Sequence, residues 1–139
     1  MTTIAVNRKE MAADSRSSDD TVYYATEGKI TRVGKDLIGA CGNLDSISKF
    51  LHWYETKGDM PDFEDDDFEA AALTHEGIFI YCNSCRPRKL IDPFYATGSG
   101  QQAALAAMHL GHCPRRAVEI AIRCDKNSGP PVVVLRLKR

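Results

Sequence analysis

The chain has 139 residues, a length suited to one compact domain spanning residues 1–139. Its shares of apolar residues (43%) and charged residues (27%) are those of an ordinary globular protein, and its net charge of −1 excludes a general attraction to nucleic acid or membranes. No apolar run approaches the ~18 residues of a membrane span, and charges close to Met1 argue against a signal peptide. Five cysteines, an odd number without secretory features, indicate reduced thiols in the cytoplasm.

The first third of the chain predicts short strands. Residues 2–6 and 11–13 form two strands around a polar turn. Residues 21–24 and 29–33 are expected to pair across a turn at Glu27 and Gly28. Residues 37–41 form a buried strand that ends at Gly42.

A helix and a hairpin follow. Residues 44–54 have apolar side chains at helical spacing, and Asn43 is available as their N-cap. Residues 58–67 form an acidic loop that contains a proline. Residues 70–74 and 77–82 then read as a hairpin.

The last third predicts one strand, two helices and a final strand. Residues 90–97 are a strand interrupted at Pro93. Residues 101–110 form a helix that Gly111 ends, and Pro114 opens a second helix over residues 115–124. Residues 132–137 form the terminal strand.

The turn Gly98-Ser99-Gly100, between a strand and a helix, is typical of a phosphate site. A dinucleotide fold would place that turn in its first βαβ unit, and a Walker loop would add Lys-Ser or Lys-Thr. Neither pattern occurs. Binding of a small molecule or phosphate at this turn remains one alternative, and a tight turn that requires small residues is the other.

Thr2 offers a second kind of chemistry. Removal of Met1 gives Thr2 both a hydroxyl and an α-amine, whose ordinary pKa is about 7.7–8.0. A sizeable fraction of that amine is neutral near pH 7 and can take the hydroxyl proton, which makes such a threonine an activated nucleophile. Many proteins begin Met-Thr without this function, so the assignment of Thr2 as a nucleophile depends on the other residues of the sequence.

Those surroundings contain TTIAV at 2–6, ADSR at 13–16, GKITRV at 28–33 and IGACG at 38–42. In this order they resemble the proteasome β-subunit family of N-terminal-nucleophile hydrolases, particularly its HslV-like members, over nearly the whole chain. The resemblance implies a four-layer α/β/β/α sandwich with mainly antiparallel sheets. It also implies a threonine peptidase that needs no cofactor or metal ion, cleaves peptides or unfolded proteins and assembles as a homo-oligomeric ring.

The same resemblance suggests roles for three residues. In the family, an Asp after a short hairpin, a Lys in a later strand and a Gly after a buried strand surround the nucleophile; Asp14, Lys29 and Gly42 stand at the matching places. The Gly42 N–H would stabilise the oxyanion. The Lys29 cation would lower the pKa of the Thr2 amine, and Asp14 would hold Lys29.

Two further family signatures match. Family members have a Gly-Ser-Gly turn whose serine hydrogen-bonds near the nucleophile's amine, and Ser99 occupies the place of that serine here. The proteasomal Asp-x-x-Ser-Gly signature corresponds at Asp125 and Ser128, which would orient the threonine. Taken singly, Asp14, Lys29 and Asp125 are surface charges; their joint occurrence favours the site.

The chain departs from the family after Gly42, where one helix and an acidic loop replace the usual two helices. This difference leaves the ring and an ATPase unfoldase partner open. The loop, residues 59–69, is either solvated or a docking surface for a basic partner. The other function considered is a non-catalytic scaffold or assembly subunit that retains Met1.

The spacing of Cys82 and Cys85 is compatible with zinc if His112 and Cys113 complete the site; incidental thiols in a hairpin turn are the alternative. The basic residues 86–89 are too few to indicate nucleic-acid binding.

Overall fold

The computed structural model describes residues 2–18, 21–63 and 68–138. In chain order its elements are β1 (Thr3–Asn7), β2 (Glu10–Ala13), β3 (Arg16–Ser18), β4 (Tyr23–Ala25), β5 (Ile30–Val33), β6 (Asp36–Gly42), α1 (Leu44–Thr56), β7 (Phe68–Thr74), β8 (Gly77–Cys82), β9 (Arg88–Lys89), β10 (Phe94–Gly98), α2 (Gln101–His109), α3 (Pro114–Cys124) and β11 (Val133–Arg136). None of the helices in these ranges is long and apolar enough to cross a membrane.

Two antiparallel sheets form the middle of the molecule. One has four strands in the order β10-β1-β2-β11, and the other has five in the order β5-β6-β7-β8-β9. Side chains from both sheets meet in one apolar core, in which Ile4 and Met11 of the first sheet pack with Leu37 and Leu73 of the second. These four side chains are fully buried, so the two sheets exclude water from the space between them.

Helices cover the outer faces of both sheets. Small side chains of α2 and α3, such as Ala104 and Ala117, pack on Ala5 and Ala12 of the first sheet. On the other side α1 packs Phe50 against the second sheet, beside Phe68 and Tyr81. The order helices, sheet, sheet, helix confirms the predicted four-layer sandwich.

Helix α1 begins where the sequence predicts. The Asn43 side chain accepts a hydrogen bond from the Ser46 N–H at 3.1 Å, which satisfies one of the free donors of the first turn. The helix extends past the predicted end to Thr56, and Lys57 closes it with a left-handed backbone (φ 54°). The acidic loop after it is described only to Phe63, and residues 64–67 lie outside the described ranges.

Two predicted elements are wrong. Residues 21–24 do not pair with residues 29–33: β4 pairs with β3 in a separate two-stranded sheet, and β5 pairs with β6. The Thr26 N–H donates to the Ser15 carbonyl at 2.8 Å, which extends the pairing of β4 with β3 by one residue on each strand. In addition, the strand predicted over residues 90–97 begins only at Phe94, after Pro93.

Candidate active site

The turn at residues 98–100 packs directly on the N-terminal strand. In the β1–β10 ladder Thr3 lies opposite Gly98. A Cβ atom on Gly98 would lie 1.9 Å from the Thr2 carbonyl oxygen, and one on Gly100 would lie 2.0 Å from Thr3 Oγ1. Real Cβ atoms do not approach other atoms so closely, so both positions require glycine. The need for small residues here is explained by protein packing and does not require a ligand.

Asp14 is a buried carboxylate, 1% exposed, with donors on both oxygens. Its Oδ1 accepts from the Thr3 N–H at 2.9 Å and from Lys29 Nζ at 3.0 Å. Its Oδ2 accepts from the Arg16 N–H at 3.1 Å and the Gly129 N–H at 3.0 Å. A buried charge is tolerable when hydrogen bonds and an opposite charge replace water, and Asp14 has both.

Lys29 lies one residue before β5, so it is not in the strand itself. Its ammonium contacts Asp14 and donates to the Arg16 carbonyl, and its side chain is only 12% exposed. Because Lys29 Nζ and the Thr3 N–H share one oxygen of Asp14, the cation is held next to the backbone that follows Thr2.

A second carboxylate, Asp125, accepts from two side-chain hydroxyls, one of which is bonded to the Thr3 hydroxyl of the same strand. Its Oδ2 accepts from Ser99 Oγ at 2.6 Å and from Ser128 Oγ at 2.7 Å. Since the Ser128 proton is given to Asp125, the 2.7 Å contact between Thr3 Oγ1 and Ser128 Oγ requires Thr3 to donate. Ser99 Oγ also lies 3.3 Å from the Thr2 carbonyl oxygen.

The electrostatics of Asp125 follow from these contacts. Partial burial raises the pKa of its carboxyl, but the hydrogen bonds from Ser99, Ser128 and the Asn127 N–H outweigh burial, and the pKa is lowered. Asp125 is therefore ionised near neutral pH and acts as the acceptor that orients the hydroxyls around it.

Gly42 faces the turn across a cleft of about 350 Å³, which Gly98, Thr97 and Cys41 also line. Its φ of 117° is a backbone conformation that glycine adopts readily. Cys41 Sγ lies 3.4 Å from Thr97 Oγ1 and joins the two sheets there. Burial raises the pKa of the Cys41 thiol, partly offset by that contact, so this cysteine is a poor nucleophile at neutral pH.

The structure thus joins six of the seven predicted residues through the first strand. Hydrogen bonds link Thr2, Asp14, Lys29, Ser99, Asp125 and Ser128 directly or through Thr3, and Gly42 lies across the cleft. Met1 lies outside the described residues. Sequence reasoning missed Thr3, whose amide and hydroxyl connect the two carboxylate networks, and it missed Arg16, whose guanidinium lies against Gly129.

The zinc alternative is not supported. Cys82 ends β8 and Cys85 packs with the aromatic residues under α1, whereas His112 and Cys113 connect α2 and α3 on the other outer face of the sandwich. Within residues 2–18, 21–63 and 68–138, no three His, Cys, Asp or Glu side chains are grouped to hold a metal ion.

We expect Gly98→Ala to destabilise the protein by about 2–5 kcal/mol, because its φ of 97° disfavours alanine and the new methyl collides with the Thr2 carbonyl. Gly111→Ala is the matched control. Gly111 has nearly the same φ, 98°, but open space around it, so only the backbone cost of about 1–2 kcal/mol remains. Urea unfolding of both variants checks the prediction, and equal losses would show that the turn does not press on Thr2.

Solved structures with the same fold are known. The chain matches Thiobacillus denitrificans BPH with a TM-score of 0.72 and 20% identity over 98% of both chains. It matches the complex of that protein with epoxomicin with a TM-score of 0.71 and 21% identity, over 99% of this chain and 100% of the other. It matches the eukaryotic HslV from Trypanosoma brucei with a TM-score of 0.75 and 16% identity over 99% of both chains. No protein-family model and no curated protein matches the sequence. The end-to-end coverage establishes an HslV-type, proteasome-like fold.

Proposed function

We propose that this chain is a threonine peptidase in which Thr2, freed by removal of Met1, is the nucleophile. The observation that supports the proposal is the network of hydrogen bonds around β1. Two carboxylates, one ammonium and two hydroxyls from four separate parts of the chain are linked by hydrogen bonds to Thr2 and Thr3: Asp14 and Ser99 contact their backbone, Ser128 contacts the Thr3 hydroxyl, and Lys29 and Asp125 hold these groups. A strand end that only completed a sheet would not need them.

The reaction follows from the chemistry of these groups. The neutral Thr2 amine takes the proton from the Thr2 hydroxyl, and the oxygen attacks the peptide carbonyl. Negative charge forms on the carbonyl oxygen, where the Gly42 N–H serves as donor. The amine then gives its proton to the departing amine, which leaves an ester on Thr2. Water hydrolyses this ester by the same proton transfers in reverse order and regenerates the site.

The positioning residues keep the amine neutral and correctly aimed. Lys29 places a cation near it, which disfavours a second positive charge there. Asp14 and Asp125 hold Lys29 and the hydroxyls of Ser99 and Ser128 in fixed directions, so little reorganisation is needed when charge develops.

The experiment that tests this function measures, on the same preparation, how much of the protein lacks Met1 and how fast it cleaves peptides. Intact-mass spectrometry gives the fraction of molecules lacking Met1, and cleavage of fluorogenic peptides should rise in proportion to that fraction. Because the structural neighbour BPH has been obtained in complex with epoxomicin, we expect epoxomicin to inhibit the cleavage. A fully processed, folded protein that cleaves no peptide would support the scaffold role instead.

We further propose that the peptidase assembles from copies of this chain. Large apolar side chains are exposed on the β3–β4 sheet beside the site, with Tyr23 67% and Tyr24 52% exposed. Such patches favour contact with a partner, and closed symmetry is the usual outcome for identical chains. Sedimentation at micromolar concentration should show a species larger than a monomer, and Tyr24→Ser should shift it toward the monomer. A protein that sediments only as a monomer would contradict the assembly.

A further inference from the structure

Positive charge accumulates at the end of the sandwich opposite Thr2. Strand β6 has Gly42 at one end, and the β5–β6 turn, with Gly34 and Lys35, lies at its other end. Strand β8 likewise runs from the β7–β8 turn, which contains His75, to Cys82 beside the candidate active site. The segment after β11 contacts the β7–β8 turn, because His75 Nε2 donates to the Lys138 carbonyl at 2.7 Å, and Lys138 lines one cavity together with Gly34 and Lys35 of the β5–β6 turn.

These elements enclose a cavity of about 590 Å³. The described residues that line it are Arg32, Gly34, Lys35, His75 and Lys138. Three of these five carry a full positive charge near pH 7, the fourth is a histidine, and no carboxylate is among them. No salt bridge within the described residues involves Arg32, Lys35 or Lys138. Among the described residues, the three cations of the cavity therefore have no carboxylate partner within 4.0 Å.

Arg32 is the residue of the cavity lining that has an unsatisfied donor. Its Nη2 donates to the Arg136 carbonyl at 2.7 Å, which holds the guanidinium against the end of β11. Its Nη1 is buried and has no hydrogen-bond partner among the described residues. A buried charged donor without a partner is costly, and the group that best satisfies a guanidinium is an oxyanion, which can accept from its parallel N–H groups.

Two carboxylates of an adjoining hollow, both among the described residues, form no salt bridge with Arg32 or Lys35. Asp36 and Glu55 line an adjoining hollow, which Arg32 and Lys35 also border. Asp36 accepts from the Tyr54 hydroxyl at 2.7 Å, so one of its oxygens is already used within that hollow. The hollow and the basic cavity share Arg32, Gly34 and Lys35, whereas Asp36 and Glu55 do not line the basic cavity.

We propose that this basic cavity binds a phosphate group, either free inorganic phosphate or the phosphate of a larger ester. A phosphate carries about 1.5 to 2 negative charges at pH 7 and several acceptor oxygens, which suits one guanidinium and two ammonium groups. The volume exceeds the need of a single phosphate and leaves space for the rest of an ester. The site is independent of the proposed peptidase reaction, because none of its residues belongs to the network around Thr2.

Isothermal titration calorimetry at constant ionic strength tests the proposal, with inorganic phosphate and ATP as the two probes. Saturable binding of phosphate is expected. If ATP binds more tightly than inorganic phosphate, the ligand of the cavity is a phosphate ester; if inorganic phosphate binds more tightly, the ligand is the free ion. Arg32→Gln should weaken either probe at least about 10-fold, the value of one lost charge-assisted hydrogen bond. Lys35→Ala and Lys138→Ala, both exposed side chains, should weaken it several-fold and serve the test if Arg32→Gln does not fold.

The control Lys49→Ala removes an exposed lysine of α1 that does not line the cavity, and it should leave binding unchanged. Thr2→Ala should also bind phosphate normally, so the outcome is separable from that of the peptidase proposal. Equal binding by wild type and all three cavity variants would overturn the proposal. So would binding that is lost in Ser99→Ala but kept in Arg32→Gln, since it would assign the phosphate to the turn at residues 98–100.

Discussion

Thr2→Ala in the chain that lacks Met1 is expected to abolish peptide hydrolysis, with kcat reduced by about 10³-fold or more. The variant retains the α-amine but has no hydroxyl for it to activate, so no ester can form. The contacts that organise the strand end are made by the Thr2 carbonyl and by Thr3, and these remain. Initial rates with a fluorogenic peptide, measured beside thermal unfolding, separate lost chemistry from lost structure.

Two variants sharpen this measurement. Thr2→Ser keeps a hydroxyl on the same backbone and should retain measurable turnover. Thr3→Ser keeps the donor to Ser128 and should differ little from wild type. If Thr2→Ala hydrolyses the peptide at an unchanged rate while its fold is intact, another residue is the nucleophile and the proposed mechanism fails.

The helices and most of the strands were predictable because local patterns agree with the tertiary contacts, whereas the four-layer arrangement was inferred from the family resemblance. The alternation of helix and strand signals, the Asn43 cap and the glycine turn before α2 all act over a few residues, and the structure has each of them. The pairing of residues 21–24 was not predictable from the nearest turn. Tyr23 and Tyr24 are β-prone but exposed, so no buried face fixed their register, and the Ser15–Thr26 hydrogen bond determined it instead.

The candidate site was predictable only as a set of residues. Asp14, Ser99 and Ser128 are ordinary polar residues in the sequence, and only a resemblance singled them out. That Asp14 receives four donors, or that Thr3 connects it to Ser128 and Asp125, depends on β1 lying between β2 and β10 and on the loop after α3. Contacts between residues more than 100 positions apart leave no local signal, which is why Thr3 was missed.

Lys29→Ala should lower kcat strongly and change KM little, because the cation assists the nucleophile and is not expected to bind much of the substrate. The direction in which the substitution shifts the pH dependence of the rate can also be predicted. A nearby cation lowers the pKa of the Thr2 amine, and the amine has to be neutral to take the hydroxyl proton. Without Lys29 the amine holds its proton to higher pH, and the Asp14 charge left behind strengthens that tendency. The acidic limb of the pH–rate profile should therefore move to higher pH.

The same substitution also costs stability, which has to be measured separately. Asp14 is buried and Lys29 is its only cationic contact within 4.0 Å among the described residues, so removing one partner should destabilise the fold by about 3–5 kcal/mol. Activity is then compared at a temperature at which unfolding curves show both proteins folded.

Lys29→Arg distinguishes charge from geometry, because it restores a cation opposite Asp14 but replaces a compact ammonium by a planar fork. The Lys29 ammonium sits between Asp14 Oδ1 and the Arg16 carbonyl, where a fork has to displace one of them. We expect Lys29→Arg to recover much of the stability and little of the turnover. Near-normal turnover and an unshifted profile in a folded Lys29→Ala protein would mean that Lys29 supports Asp14 structurally and takes no part in activating Thr2.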